Sequence, residues 1–243
     1  MLLLSLDTSS PSGSVAVLRD AQVLGIISTC TDEDYSSRMF RHVTWLLKEL
    51  SLETSDFDVF AVSSGPGSFT GLRVGLTAVK GWAEAHNRPI VSVSALEAIA
   101  AQATTGVDLL VPVFDARRSE VYFGFYRQAS IESDGLAVLE PMDEAQVAPP
   151  VEFLEQAAAR ADHEQLVIVT PAPELLTDPL TSLNSSHRGA RQLRLERVSG
   201  VLAAVIGRIG YHRARMGKTE TALTLDANYV RRTDAELKWR GPS

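Results

Sequence analysis

The chain has 243 residues, longer than the roughly 100–200 usual for one domain, so one large or two small domains fit, each with material for a core. Its 30 Asp and Glu against 23 Lys and Arg give a net charge of −7, which excludes an affinity for nucleic acid spread over the whole surface, and the single cysteine, Cys30, excludes an internal disulfide and argues against a thiolate metal cluster. The opening Met1-Leu2-Leu3-Leu4-Ser5-Leu6-Asp7 lacks the basic region and length of a signal peptide and no apolar run could span a bilayer, so a cytoplasmic location is expected.

Leu2 to Leu6 reads as a short buried strand ending in the turn formers Asp7-Thr8-Ser9-Ser10-Pro11-Ser12-Gly13; Val15 and Val17 resume as strand, and a third strand covers Gln22 to Thr29. An aspartate at a strand end with hydroxyls beside it is how phosphate-handling folds place a carboxylate near a metal-bound nucleotide, which makes Asp7, Thr8 and Ser9 phosphate-loop candidates. The competing reading is an Asx or Ser turn that caps its own backbone. Apolar periodicity then predicts a helix from Tyr35 to Leu50 that buries Met39, Phe40, Val43, Leu46, Leu47 and Leu50. The opposite side carries Trp45 among Arg38, Arg41, His42, Lys48 and Glu49, and an exposed tryptophan is a residue type enriched at interfaces.

Val59 to Ser63 suits a buried strand, and it leads into Ser64-Gly65-Pro66-Gly67-Ser68-Phe69-Thr70-Gly71-Leu72-Arg73-Val74-Gly75. Gly65 and Gly67 permit positive φ for a sharp reversal before the next helix, and with Gly71 they form the structural loop. The spacing G-x-G-x-x-x-G is one residue longer than the dinucleotide fingerprint and has no G-K-[ST] ending, which favours a turn that buries a helix start over a phosphate cradle. The helix from Leu72 to His86 has a bulky stripe of Leu72, Leu76, Val79, Trp82 and Ala83, and a small-residue stripe of Val74, Ala78, Gly81 and Ala85. Two apolar faces imply two packing partners; the second is either another part of this domain or a helix from another chain.

A strand over Pro89 to Val93 and a helix over Ala95 to Ala103 continue the alternation expected of parallel pairing with crossover helices. Leu109 to Asp115 then repeats the opening: a strand ending in an aspartate, a turn through Ala116-Arg117-Arg118-Ser119, and a return over Val121 to Tyr126. The duplication predicts an α/β fold of two related lobes, 1–104 and 105–243, with mixed sheets. Asp115, Arg117, Arg118 and Glu120 read as an ion-paired turn. Farther on, Ala129 to Pro150 and Thr170 to Arg191 read as loops around a helix from Glu152 to Ala161 and a strand from Leu166 to Thr170. Val198 to Arg215 forms a closing helix able to pack back on the first lobe, and Leu223 to Arg232 an extended tail. From Arg188 to Lys218 basic residues face a single acid, Glu196, which is either a solvated helix face or an RNA-facing patch. The histidines have no metal-ligand spacing and no serine lies in G-x-S-x-G, so neither a metal site nor a catalytic residue is assigned.

Leu6-Asp7-Thr8-Ser9, the block Gly65 to Gly75, Asp115-Ala116-Arg117-Arg118 with Glu120-Val121-Tyr122, and Tyr229-Val230-Arg231 occur in the order of the TsaB (YeaZ) family, which the chain resembles over nearly its whole length and most strongly up to about Tyr126. That resemblance implies two actin-like, Hsp70-like ATPase (ASKHA) lobes. It also implies a non-catalytic subunit of tRNA threonylcarbamoyladenosine (t6A) synthesis that supports the catalytic subunit TsaD at adenosine 37 of tRNAs reading A-starting codons, together with the ATPase TsaE. The first two helices of such a subunit pair with their counterparts in TsaD, or with a second copy as a homodimer, which assigns partner binding to Tyr35, Arg38, Trp45, Val74, Ala78, Gly81 and Ala85. No cofactor is implied for this chain, ATP belonging to the assembly, and tRNA is met through the complex. Tyr35-Ser36 and Arg41 depart from the His-Ser and the proline frequent in the family's first helix. The rival reading is an ATP-dependent small-molecule kinase or ATPase of the same fold using Asp7.

Overall fold

The computed structural model describes residues 1–31, 35–104, 107, 109–161, 165–186, 193–228 and 230. Among the described residues, twelve strands and six α-helices make two sheets with helical layers on both faces of each. The first sheet holds β1 (Leu2–Asp7), β2 (Ser14–Arg19), β3 (Gln22–Ser28), β4 (Val59–Gly65) and β5 (Ile90–Ser94) in the order β3-β2-β1-β4-β5. β1 pairs antiparallel with β2 and parallel with β4, because β1 and β2 are joined by a short turn whereas β4 returns through the helix α1 (Tyr35–Glu49). α2 (Phe69–His86) makes the crossover to β5, and α3 (Ala95–Ala100) follows.

The second sheet repeats the plan. β6 (Leu109–Arg117) pairs antiparallel with β7 (Glu120–Phe123) and parallel with β11 (Leu166–Thr170), as β1 does with β2 and β4. Its additions are β8 (Tyr126–Ile131), β9 (Ala137–Pro141), β10 (Gln146–Ala148) and β12 (Arg194–Arg197), and its helices are α4 (Pro150–Ala161) and α5 (Thr177–Ser186).

Three apolar clusters fill the spaces between layers, and strand alternation decides which residue goes where. On β1, Leu4 and Leu6 join Val15, Val17, Phe60 and Val62 beneath α1 and α2, whereas Leu3 joins Ala16, Leu18 and Ala61 on the inner face, against α3 and α6 (Ala203–Arg215). The third cluster packs the outer face of the second sheet on α4 through Phe153, Leu154 and Ala157. The order is α1–α2, first sheet, α3–α6, second sheet, α4–α5. The final helix reaches the first sheet closely because Gly207 lies on Leu18 and Gly210 on Ala61, where a Cβ would have no room.

The expected loops are partly regular structure. Ala129 to Pro150 contains β9, β10 and the end of β8, and Thr170 to Arg191 contains a short turn at Pro173–Leu175 and α5. These are half-exposed strands and a polar helix, so their apolar periodicity is diluted by acids and serines. The closing helix starts at Ala203, later than Val198, because Val198 N–H still bonds to the Thr170 carbonyl. The expected extended tail turns at Thr221–Thr224 instead; Tyr229 and residues 231–243 lie outside the described residues.

Candidate functional site

The turn between β1 and β2 is buried throughout its first half. Asp7, Thr8, Ser9 and Ser10 are all inaccessible, and the Ser9 N–H and hydroxyl both donate to Asp7 Oδ1, at 2.9 and 2.6 Å. Among the described residues, Asp7 Oδ2, Thr8 Oγ1 and Ser10 Oγ have no hydrogen-bond partner. Burial pushes the Asp7 carboxyl up to about 6, against the two Ser9 bonds that favour the ionised form.

The start of α2 closes over this turn. Ser68 N–H donates to the Ser9 carbonyl at 2.8 Å, and Ser68 Oγ accepts from Gly71 N–H at 3.2 Å as the N-cap. A Cβ on Gly67 would overlap the Ser9 carbonyl, on Gly71 the Thr8 carbonyl, and on Gly75 the Thr8 hydroxyl. Of the loop glycines only Gly65 has a positive φ, +105°; Gly67, expected to share that freedom, is required for close approach instead.

The start of α1 closes the other side. Tyr35 Oη accepts from Gly13 N–H at 2.9 Å, and burial pushes the phenol up to about 12. Arg38, expected on the partner face, is 2% exposed: its guanidinium donates to the Pro11 carbonyl at 3.2 Å and to Thr31 Oγ1 at 3.0 Å, and stacks 4.4 Å from the Tyr35 ring centroid. His42 is buried too, 3.3 Å from Thr29 Oγ1. Both correct the outward placement read from the helical wheel, because the loops before the helix wrap its first turns.

The outer face of α1 and α2 is apolar in patches. Trp45 is 53% exposed, and Phe40, expected in the core, is 48% exposed. Phe40 meets half-buried Trp82 edge-on at 6.2 Å, and Trp82 in turn lies 5.9 Å from buried Phe60, so an aromatic ladder runs from the core to the surface. The small-residue stripe of α2 divides. Ala78 is 8% exposed within the core cluster, Val74 packs against that cluster, Gly81 and Ala85 are exposed, and nothing lies within 4 Å of a Cβ built on Gly81.

In the second lobe, Arg117, Arg118 and Ser119 all adopt left-handed conformations, with φ of 61°, 56° and 59°. Asp115 supports them, accepting from Arg117 N–H at 2.7 Å and facing its Nε at 3.7 Å. The residue types gave no sign of three successive left-handed positions, since none is glycine, asparagine or aspartate. On α6, Arg208 donates to Asp134 Oδ2 at 3.0 Å, His212 sits between Glu132 and Asp134, and Arg213 donates to both Glu97 oxygens at 2.7 Å and to the Ser92 carbonyl at 2.8 Å. Arg208 and Arg213 are ion-paired within the protein; Arg215 and Lys218 are exposed, and Arg188 and Arg191 lie outside the described residues. Among the described residues no three His, Cys, Asp or Glu are placed to hold a metal, and no helix is long and apolar enough to cross a membrane.

Residues 17–137 match the family model of TsaD, tRNA N6-adenosine threonylcarbamoyltransferase. The tRNA threonylcarbamoyladenosine biosynthesis protein TsaB of Bacillus subtilis is 31% identical over 248 residues, covering 98% of each chain. The structure of YeaZ from Pseudomonas aeruginosa superposes with a TM-score of 0.70 at 27% identity, covering 94% of this chain and 99% of that one. The (R)-2-hydroxyglutaryl-CoA dehydratase component A of Acidaminococcus fermentans shares the fold alone, with a TM-score of 0.50 at 9% identity and 88% of this chain covered.

Proposed function

The chain belongs to the TsaB (YeaZ) family of tRNA threonylcarbamoyladenosine biosynthesis proteins, with the actin-like α/β fold of that family, and from this premise we propose that it is a non-catalytic subunit docking on TsaD through the outer face of α1 and α2. TsaE completes the assembly, tRNA is met through the complex, and a second copy takes the same face when TsaD is absent. The observation that supports docking most directly is the aromatic ladder Phe60–Trp82–Phe40 ending half-exposed on that face, with exposed Trp45 on the same helix as Phe40. Half-exposed aromatics bury large area at little entropic cost, which is why such residues anchor interfaces. The TsaD family model fits the part of the chain that contains both helices. A TsaD-like lobe presenting two helices offers a surface that a related lobe complements by pseudo-symmetry.

On this reading the partner residues are Trp45, Phe40, Trp82, Gly81 and Ala85, with Val74 at the margin, and the buried or half-buried Tyr35, Arg38 and Ala78 support the face from beneath. The test is co-purification and gel filtration with TsaD. Phe40→Glu and Gly81→Arg are expected to give folded chains that neither bind TsaD nor self-associate, and retained binding by both would sink the docking reading. The rival kinase or ATPase predicts steady ATP hydrolysis by the purified chain that disappears in Asp7→Ala.

A further inference from the structure

Phosphate-handling folds set a carboxylate at a strand end near a metal-bound nucleotide, and the residues around Asp7 are the candidates for that group. They do not fit it. Asp7 has no exposed surface: its Oδ1 is taken by both Ser9 donors, its unpaired Oδ2 is closed off from solvent, and the Thr8 and Ser9 carbonyls face Gly71, Gly67 and Ser68 of the α2 start. A nucleotide's metal must keep its water shell partly intact and reach the carboxylate from solvent. Here the N-termini of two helices occupy that approach.

The same contacts show what the turn holds. α1 touches it through Tyr35 on Gly13 and Arg38 on Pro11, α2 through Ser68 on Ser9 and through the glycines seated on Thr8 and Ser9, and α6 through Ala203 N–H on Ser14 Oγ at 3.1 Å. Within the turn itself the Ser9 N–H and hydroxyl both donate to Asp7 Oδ1. We infer that Asp7 is a positioning residue: as a buried hydrogen-bond acceptor it sets the 7–14 turn on which the first turns of α1 and α2 are seated, and so the spacing of the two-helix face, and it does not ligate a nucleotide's metal. The bearing on partner binding rests on the docking role proposed above; the positioning itself does not.

A metal ligand needs the negative charge of Asp7, whereas a turn acceptor needs only its oxygen, so Asp7→Asn separates the two. Hydrogen–deuterium exchange of the full chain is expected to show amides of residues 35–42 and 68–76 exchanging at least about tenfold faster in Asp7→Ala than in the wild type, with α4 and its sheet unchanged, and no acceleration in Asp7→Asn. Millimolar Mg²⁺-ATP is expected to leave the wild-type melting temperature unmoved. Equal acceleration by the alanine and asparagine variants, no acceleration by either, or an Mg²⁺-ATP stabilisation that Asp7→Asn abolishes would each overturn the inference. If Asp7→Ala does not fold, Ser9→Ala replaces it, with faster exchange expected in the same two segments only, and an unchanged pattern again overturning it. Binding to TsaD closes the set: it should weaken at least about tenfold in Asp7→Ala and persist in Asp7→Asn. Wild-type chain that shows the exchange pattern yet fails to bind TsaD removes the docking role and leaves the positioning intact.

Discussion

At the scale of single residues, the Asp7 carboxyl has a definite linkage to pH. Burial raises it from 3.8 to about 6, so between those values the native chain holds a proton that the unfolded chain has released. Stability from this group is therefore complete below about pH 4 and lost as pH rises through about 6, leaving a buried charge that costs roughly 3 kcal/mol at neutral pH. Asp7→Asn keeps the acceptor and removes the charge. Urea titrations are expected to find it about 1–3 kcal/mol more stable than the wild type at pH 7.5, the gap closing toward pH 4. A pair of glycines on α2 gives a second contrast. Gly71→Ala sets a Cβ into the Thr8 carbonyl, a backbone atom that cannot yield cheaply, and should cost about 2 kcal/mol or more, while Gly81→Ala has open space and should gain about 0.5–1 kcal/mol. Thermal melts of the two variants check both signs. The sequence made the glycine-rich block visible, and its spacing argued against a phosphate cradle. What could not be read was the object against which the glycines pack, since Thr8 and Ser9 lie about sixty residues earlier and carry no mark of the contact.

At the scale of elements, helical periodicity placed α1 and α2 correctly and misplaced residues at the edges of their arcs. Phe40 stands beside Leu47 on the wheel, and only the neighbour it meets, the half-buried Trp82, decides that it ends half-exposed. Ala78 follows the opposite course: its small stripe fitted either this domain or another chain, and Ala78 belongs to the core beneath α2. Ala78→Glu should therefore unfold the chain, because a buried unpaired charge costs several kcal/mol, whereas Gly81→Arg should leave the circular dichroism spectrum intact. Finding Ala78→Glu folded and monomeric would return Ala78 to the surface. The missed strands β8, β9 and β10 share one cause: a strand that buries only part of one face shows too few apolar residues for a period of two to stand out.

At the scale of the whole molecule, the repeat of strand, acidic turn and returning strand revealed the duplication because it lies within short stretches of chain. The five layers were less legible, since they depend on α6 lying between two sheets whose strands it follows at long range. Within the middle layer, Arg213 of α6 pairs with Glu97 of α3, where burial raises the carboxyl despite the guanidinium beside it. Arg213 itself is part-exposed, so the pair is worth less than a fully dry one. Arg213→Met leaves Glu97 desolvated and unpaired and should cost roughly 2–4 kcal/mol, and the double variant with Glu97→Met should recover most of it. A double-mutant cycle by thermal melting measures this, and additive losses would mean that the two groups act independently.

The central position of α6 also governs how this chain emerges from a ribosome. The first sheet can pair its five strands once residue 94 has left the exit tunnel, and α3 follows at once, but the part of its inner face at Leu3, Leu18 and Ala61 that Gly207 and Gly210 cover waits for α6. At roughly 5–20 residues per second that wait lasts on the order of ten seconds. Throughout it the nascent first lobe shows an apolar sheet face, and a chain stopped before Ala203 never hides it, which makes truncated products natural clients for chaperones and proteases.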